Sequence, residues 1–250
     1  MKKIISLVAA ALVATTGAFA LTWNPQPSSE QHLMGITVGW MDKTMKNNGT
    51  TNSLTAITND QKLGNTLQVG VSFTPEFTYG IGLQAGVYYE WTMNSFDAEL
   101  VGVRTESRTN NHEISIPLRL QWRYEIVNGL SLFAFTGPSF DFGLLYSERA
   151  KDYIGGELAT TYFHNAYTGT VKTKDVINNK TIQDTKSRND KDYKAFHPYW
   201  GVGVGFQWEY LRVQLTSDWG IMDVNARTDA LAPKSVIFNK PIAVSVSYLF

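Results

Sequence analysis

The stretch Glu113–Tyr124, with the sequence EISIPLRLQWRY, decides the fold. Its even-numbered positions are all apolar or aromatic, and its odd-numbered positions are polar, charged or proline. Side chains of a β-strand alternate between two faces, whereas those of a helix repeat every 3.6 residues. The stretch therefore predicts a β-strand with one apolar face and one polar face.

The same alternation recurs in seven further stretches, which are 34–40, 67–73, 81–93, 130–146, 201–210, 211–221 and 242–250. The stretch 130–146 is the least regular, because Phe133 and Phe135 fall on its otherwise polar face. The apolar phase changes from even to odd numbers between Trp208 and Leu211. A two-residue turn at Glu209–Tyr210 that sets Trp208 opposite Leu211 accounts for this change.

Two architectures have strands of this kind, a soluble β-sandwich and a membrane β-barrel. The alternating stretches mostly run to about 9–14 residues, longer than the roughly 5–6 residues usual in soluble proteins. Their apolar faces carry no charged residue, which fits a lipid-facing surface because Arg or Lys there costs roughly 2–4 kcal/mol at the bilayer midplane. We therefore predict an all-β fold, a transmembrane antiparallel up-and-down β-barrel of eight strands.

The connections alternate between short and long. Short turns are predicted near 74–78, 127–129 and 209–210, and long polar loops near 45–64, 94–111, 147–196 and 223–235. Outer-membrane barrels have short periplasmic turns, long extracellular loops and both termini in the periplasm. In the longest loop, Thr168–Lys174 and Lys180–Lys186 alternate on either side of Asn178-Asn179, so we expect a hairpin rising above the bilayer.

The residues on the polar faces of the strands are predicted to fill the barrel. The aromatic residues on the apolar faces are predicted to lie at the membrane surface. The residues predicted to point inward as a mixed-charge network are Glu90, Glu113, Arg119, Arg123, Glu209, Arg212 and Asp218. Eight strands enclose an interior only wide enough for side chains, so such a network fills the lumen. The residues predicted to form aromatic girdles at the two interfaces are Trp40, Trp91, Trp122, Tyr124, Trp208, Tyr210, Trp219, Tyr248 and Phe250.

The beginning of the chain and its composition limit the location and the partners. Residues 1–20 combine a basic start, an apolar run and the pattern Ala18-Phe19-Ala20, and predict a cleavable signal peptide. Residues 21–250 are then one barrel domain. The 22 basic and 22 acidic side chains balance, which argues against nucleic-acid binding. The chain has no cysteine, which excludes disulfides and thiolate chemistry.

Together these features resemble the outer-membrane β-barrel family of Bacteroidetes described as PorT-like and, more loosely, the OmpA/OmpX-type eight-stranded barrels. The stretches that carry the resemblance are Glu113–Tyr124, Gly137-Pro138, Gly201–Trp208, Asp218-Trp219-Gly220 and Ser247–Phe250. The resemblance implies a Gram-negative cell envelope and an integral outer-membrane location. It also implies insertion by the barrel-assembly machinery, for which the terminal aromatic residue resembles the signal. It implies no particular function.

No motif for chemistry stands out. The four histidines, His32, His112, His164 and His197, lack a neighbouring serine and acid in hydrolase spacing, and no metal-binding motif is present. We therefore predict no enzyme, cofactor or metal. Two alternatives stay open, a small-solute porin and a lipid-modifying enzyme in which His112 and His197 meet in space.

The predicted role is structural, or one of interaction or adhesion through the longest loop. The partners expected are the lipid and lipopolysaccharide of the outer membrane, the barrel-assembly machinery during biogenesis, and an extracellular ligand or protein that binds loop 147–196.

Overall fold

The regular elements of the described residues are β-strands, as the alternating side chains predict. The computed structural model describes residues 33–48, 60–78, 80–100, 102–127, 129–187, 190–227 and 235–250. All of these belong to one unit, Gln31–Phe250, and the predicted signal peptide lies outside them. The strands are β1 Met34–Asn48, β2 Asp60–Phe73, β3 Glu76–Thr78, β4 Ile81–Leu100, β5 Val103–Val127, β6 Leu130–Ile154, β7 Glu157–Asn165, β8 Thr170–Asp175, β9 Lys180–Lys186, β10 Phe196–Trp208, β11 Leu211–Gly220 and β12 Ser235–Leu249.

Eight of these strands close into an antiparallel ring in the order β1-β2-β4-β5-β6-β10-β11-β12. The ring is closed by β1 and β12, where Thr37 lies opposite Ser247. Trp208 lies opposite Leu211 across the turn between β10 and β11, as the phase change predicted. The predicted eight-stranded up-and-down barrel is therefore confirmed. We call the end that holds the β10–β11 turn and Phe250 the turn end, and the opposite end the loop end.

Towards the loop end the strands run further than their apolar pattern. β5 and β6 have 25 residues each, and β4 has 20. The predicted loop at 94–111 is wrong, because Asn94–Leu100 and Val103–Asn111 pair as a long hairpin in which Leu100 lies opposite Val103. Phe96, Ala98 and Leu100 alternate with polar residues on the β4 arm, but the β5 arm from Arg104 to Asn111 is polar on both faces and shows no period of two in hydropathy.

Three more strands continue this hairpin sideways. β6 pairs with β7, β7 with β8, and β8 with β9, so that Thr170 lies opposite Lys186. The predicted hairpin of β8 and β9 is therefore confirmed, whereas β7 was not predicted. We call the sheet made by Asn94–Leu100, Val103–Asn111, Tyr146–Ile154 and strands β7–β9 the extension sheet.

The outside of the barrel is apolar and exposed. Leu120, Val204 and Trp208 have exposed fractions of 58%, 57% and 60%. A continuous apolar surface of this kind would aggregate in water, and it is stable where lipid chains cover it.

No helix long and apolar enough to cross a membrane occurs in the part of the chain that the structure describes.

Candidate functional site

The loop half of the lumen holds a cluster of buried ion pairs. The ammonium of Lys43 on β1 contacts the carboxylate of Glu113 on β5. The ammonium of Lys240 on β12 lies 2.8 Å from Glu90 Oε1 on β4 and 2.6 Å from Asp141 Oδ2 on β6. All five residues are at most 1% exposed. Five strands of the barrel wall, β1, β4, β5, β6 and β12, are thus joined through its centre.

Glu113 is the hub of this upper cluster. Its Oε1 accepts hydrogen bonds from Asn111 Nδ2 at 3.0 Å and from the Tyr167 hydroxyl at 2.8 Å. His197 Nδ1 lies 3.1 Å from the same oxygen, and His197 Nε2 lies 2.6 Å from the carbonyl of Lys194. Both ring nitrogens of His197 thus face oxygen atoms. The carboxylates of Glu90, Glu113 and Asp141 surround the two ammonium groups of Lys43 and Lys240.

A second cluster fills the turn half of the lumen. Arg119 donates through Nη2 to both oxygens of Asp218, at 2.8 and 2.9 Å. Arg212 donates to the side-chain oxygen of Gln121 and lies 3.8 Å from the centre of the Phe133 ring. Phe135 likewise lies 5.2 Å from the Arg119 guanidinium. The two phenylalanines that interrupted the sequence pattern therefore face inward as cation–π partners.

Two residues of the predicted network lie away from these clusters. Arg123 pairs with Glu76 at the turn end. Glu209 does not face the lumen. It is exposed, in the turn between β10 and β11, with φ of 47°. The two-residue turn takes Glu209 out of the strand, so its alternation phase no longer applies.

Three charged residues of the upper cluster were missed. Lys43 and Asp141 lie on inward phases of β1 and β6, and extending the alternation on β1 would have found Lys43. Lys240 could not be found this way, because Pro241 and Ile242 both point outward. Pro241 and Ile242 form a bulge, at which the register of β12 against β1 and β11 shifts. On the far side of the bulge, the even-numbered residue Lys240 therefore points inward.

The three carboxylates of the upper cluster come close enough to hold a metal ion in principle. One oxygen each from Glu90, Glu113 and Asp141 lies within 4.8 Å of the others. Lys43 and Lys240 already supply two positive charges among these oxygens. The set therefore forms an ion-paired core, and a metal would have to displace a buried lysine.

Between the two clusters a cavity of about 30 Å³ remains, bordered by Glu90, Arg119, Asp218 and Lys240 among others. This volume holds about two water molecules. A solute larger than water does not fit between the described side chains at this level, so the lumen is filled.

A turn of the extension sheet caps this lumen. The turn between β7 and β8 is held by the Asn165 side chain, which accepts from the backbone N–H groups of Tyr167 and Thr168. The Ala166 N–H donates to the carbonyl of Tyr146 at 2.9 Å. The Tyr167 side chain thereby points into the barrel, where its hydroxyl donates to Glu113. We call this contact the Tyr167 latch.

A second contact fastens the extension sheet, at His164. Its Nδ1 lies 3.8 Å from Glu148 Oε2 and 3.4 Å from Asp192 Oδ2, and its Nε2 lies 2.9 Å from the carbonyl of Asp190. The nearby Glu148 carboxylate, helped by the Asp190 carbonyl and the Asp192 carboxylate, raises the pKa of His164 above its usual 6.5 despite partial burial.

The predicted girdle residues lie outward at two levels. Near the turn end are Trp122, Tyr124, Trp208, Tyr210, Tyr248 and Phe250, all exposed. Near the loop end, cross-strand neighbours link Trp40, Leu67 and Trp91 in one row, and Trp200 lies opposite Trp219. Their exposed, paired positions fit the interfacial belts of a membrane protein.

The histidines do not assemble into a catalytic pair. His112 points outward and stacks on Trp91 with 6.0 Å between ring centres, whereas His197 is buried inside the lumen. The barrel wall lies between them, so the geometry required by the lipid-enzyme alternative is not formed. His32 lies outside the described residues.

A closed barrel with an apolar, exposed exterior and an ion-paired interior defines an integral membrane β-barrel. Residues 28–225 match the family model of the outer membrane protein beta-barrel domain. The chain belongs to this family, and it is an integral outer-membrane protein.

No curated protein matches the chain. Among solved structures, Ail, the attachment invasion locus protein of Yersinia pestis, is 11% identical with a TM-score of 0.36, over 88% of this chain and 100% of that one. Neisserial surface protein A is 11% identical with a TM-score of 0.40, over 87% and 97%. These scores are too low to transfer a function.

Proposed function

We propose that the protein is a non-conducting outer-membrane anchor whose extension sheet binds a ligand or partner at the cell surface. The observation that carries this is the Tyr167 latch, which joins the extension sheet to the buried charges of the lumen. A sheet held in this way is ordered before it binds, so binding loses less conformational entropy than binding by a flexible loop.

The upper cluster and the second cluster, in the turn half of the lumen, argue against the porin alternative. A solute path would require the removal of buried ion pairs such as Arg119–Asp218, and breaking one leaves an uncompensated charge. We expect no stable single-channel steps from the purified barrel in planar bilayers. Reproducible steps that disappear when the lumen is altered would favour the porin instead.

The proposed orientation places the loop end outside the cell and both chain termini in the periplasm. Since the chain lacks cysteine, a single Ile177→Cys variant gives one thiol at the exposed turn between β8 and β9. A membrane-impermeant maleimide should label it on intact cells. The matched variant Val127→Cys, exposed at the turn end, should be labelled only after the outer membrane is opened. The reverse pattern would refute this orientation.

The binding role can be tested by removing the β8–β9 hairpin, residues 170–186. The Ser187 N–H already donates to the carbonyl of Gly169 at 3.0 Å, so joining these residues closes the chain without moving the Tyr167 latch. Surface cross-linking on whole cells should capture partners with the intact protein and lose them with the deletion. Both forms should keep the heat-dependent gel shift of a folded barrel. Capture that is unchanged by the deletion would contradict the proposal.

The finer resemblance to PorT-like barrels stays a proposal, supported by Glu113–Tyr124 and Gly137-Pro138. Insertion by the barrel-assembly machinery is likewise proposed, because the chain belongs to a family of outer-membrane β-barrels.

A further inference from the structure

In the middle of the extension sheet, acidic side chains lie on the inner face and basic side chains on the outer face. On its inner face, Glu148 contacts His164, and Asp152 accepts hydrogen bonds from Thr105 at 2.8 Å and Thr160 at 3.1 Å. The outer face continues the lipid-facing side of the barrel. Its central positions on β5, β6 and β8 are Arg108, Arg149, Lys151, Lys172 and Lys174, which we call the basic patch.

The basic patch is one surface, because its members are neighbours across the strands. Arg108 lies opposite Arg149, and Arg149 and Lys172 both lie opposite Phe163. All five side chains are exposed. Four of them, with Phe163, line a depression of about 400 Å³. Like charges held this close repel each other, so the surface favours an anionic ligand.

Little negative charge from the protein neutralises this patch. Asp184 lies 3.7 Å from Lys172, and within the described ranges no other carboxylate lies within salt-bridge distance of the five. Glu106 borders the patch but is engaged by Arg104 at 2.9 Å. Asp97 and Glu99 lie further out on β4, opposite Glu106 and Arg104.

The height of the patch indicates the kind of anion. Along β5, Arg108 lies four residues beyond the loop-end girdle, counted from His112, whose ring stacks on Trp91. Four residues of a strand tilted by roughly 40° rise about 10 Å along the membrane normal, and Lys151 lies a few ångströms higher. Phospholipid head groups occupy only about 5–8 Å beyond the hydrocarbon core. In the outer leaflet, phosphorylated lipopolysaccharide sugars extend to this height.

We propose that the basic patch binds the phosphorylated sugars of the lipopolysaccharide molecules around the barrel. The proposal rests on the orientation given under the proposed function, with the loop end outside. It assigns the outer face of the extension sheet to the membrane. The inner face, the β8–β9 turn and the edge of β9 stay accessible from outside.

The test uses the purified full chain in non-ionic detergent and rough lipopolysaccharide with a phosphorylated core, with bound molecules counted by native mass spectrometry. The variant Arg149→Gln/Lys172→Gln/Lys174→Gln removes three charges from the patch. The control Lys62→Gln/Lys180→Gln/Lys186→Gln removes three exposed charges elsewhere. At the energy typical of a basic residue near an anionic surface, the dissociation constant should rise on the order of a hundredfold in the patch variant. It should change little in the control.

Two further ligands identify the source of the anion. Dephosphorylated lipopolysaccharide should bind the wild type as weakly as intact lipopolysaccharide binds the patch variant. The phosphorylated core oligosaccharide released from its acyl chains should bind more weakly than the intact molecule. Equal loss in patch and control variants, or full binding after dephosphorylation, would overturn the proposal. Equal binding of the released oligosaccharide would assign the patch to a soluble polyanion instead.

Failure of this inference can be told apart from failure of the proposed orientation. If Ile177→Cys is not labelled on intact cells, both the proposed orientation and the assignment of the basic patch are refuted. If it is labelled and the patch variant still binds lipopolysaccharide normally, only the assignment of the basic patch is refuted. The heat-dependent gel shift confirms folding of each variant. If the triple variant does not fold, Arg149→Gln and Lys172→Gln are compared singly with Lys186→Gln.

Discussion

At the scale of single residues, Glu113 has more partners than any other described acid in the lumen. It contacts Lys43, Tyr167, Asn111 and His197 from four separate segments. Glu113→Gln would leave the Lys43 ammonium buried without a counter-charge. We predict a loss of about 3–5 kcal/mol in the free energy of unfolding, as for other broken buried pairs. Urea titration of the barrel in lipid vesicles measures it.

Two comparisons isolate the charge of Glu113 from the change of side chain. Glu157→Gln, at an exposed position of β7, should leave the free energy of unfolding nearly unchanged. In Lys43→Met/Glu113→Gln the buried ammonium is absent, so part of the loss should be recovered. A double variant as unstable as the sum of its single changes would show that the two residues act independently.

Gly143 makes room for the Tyr167 latch. A Cβ atom at this position would lie 2.3 Å from the Tyr167 ring, closer than two carbons can approach. Gly143→Ala should therefore push Tyr167 out of the lumen, while β6 keeps its pairing. We predict faster amide hydrogen exchange in residues 157–175, with exchange in β1 and β12 unchanged. Tyr167→Phe, which lacks only the hydroxyl, should give a smaller effect in the same direction. Unchanged exchange in 157–175 would show that the latch does not hold the sheet.

The contacts of His164 make the attachment of the extension sheet depend on pH. Its pKa is raised in the folded protein by the Glu148 carboxylate and by Asp190 and Asp192. A raised pKa means that protonated His164 stabilises the fold. The stabilisation is complete below the usual value of 6.5 and is lost as the pH rises through the raised value. NMR titration should give a pKa for His164 above 6.5 in the wild type, and a lower one in Glu148→Gln. Equal values would exclude Glu148 as the cause.

At the scale of elements, the turn between β10 and β11 holds Glu209 in a left-handed conformation, with φ of 47°. This conformation costs a residue with an ordinary side chain roughly 1–2 kcal/mol, and asparagine tolerates it better. Glu209→Asn should therefore raise the free energy of unfolding by about 1 kcal/mol. Glu209→Gln, which removes the charge and keeps the backbone preference, should change it little. Destabilisation by Glu209→Gln would instead assign a role to the carboxylate.

The sequence predicts those strands that have lipid on one face and polar contacts on the other. Ile116, Leu118 and Leu120 face lipid while Arg119 and Gln121 face the lumen, so hydropathy alternates along the strand with a period of two residues. This alternation predicted the eight strands of the barrel, the β10–β11 register and five of the charged residues of the two inner clusters.

The β5 arm of the hairpin and strand β7 were missed because neither separates an apolar face from a polar one. In β5, Ser107 and Arg108 point to opposite sides and both are polar, so this arm was predicted as part of a loop. The inward position of Lys240 depends on the bulge at Pro241, which a constant period cannot represent. The Tyr167 latch depends on residues far apart in the chain, for which the local pattern gives no signal.

At the scale of the whole molecule, one continuous sheet meets different surroundings along its length. Charges are paired inside the barrel, apolar side chains cover its outside, and basic side chains begin on the outer face above the loop-end girdle. This order fits lipid chains around the barrel and, above the girdle, the phosphorylated sugars proposed as the ligand of the basic patch. The same substitution should therefore have an effect that depends on its height along the barrel.

Val204 tests this dependence, because it lies on the outer face of β10 four residues from both Trp200 and Trp208. It is 57% exposed, between Ala134 and Leu215. Val204→Arg should cost roughly 2–4 kcal/mol in the free energy of unfolding measured in lipid vesicles, since the guanidinium would lie near the bilayer midplane. Phe96→Arg, at a 65% exposed position of β4 in the extension sheet, should cost close to nothing. If the outer surface met water instead of lipid, both substitutions would be equally mild.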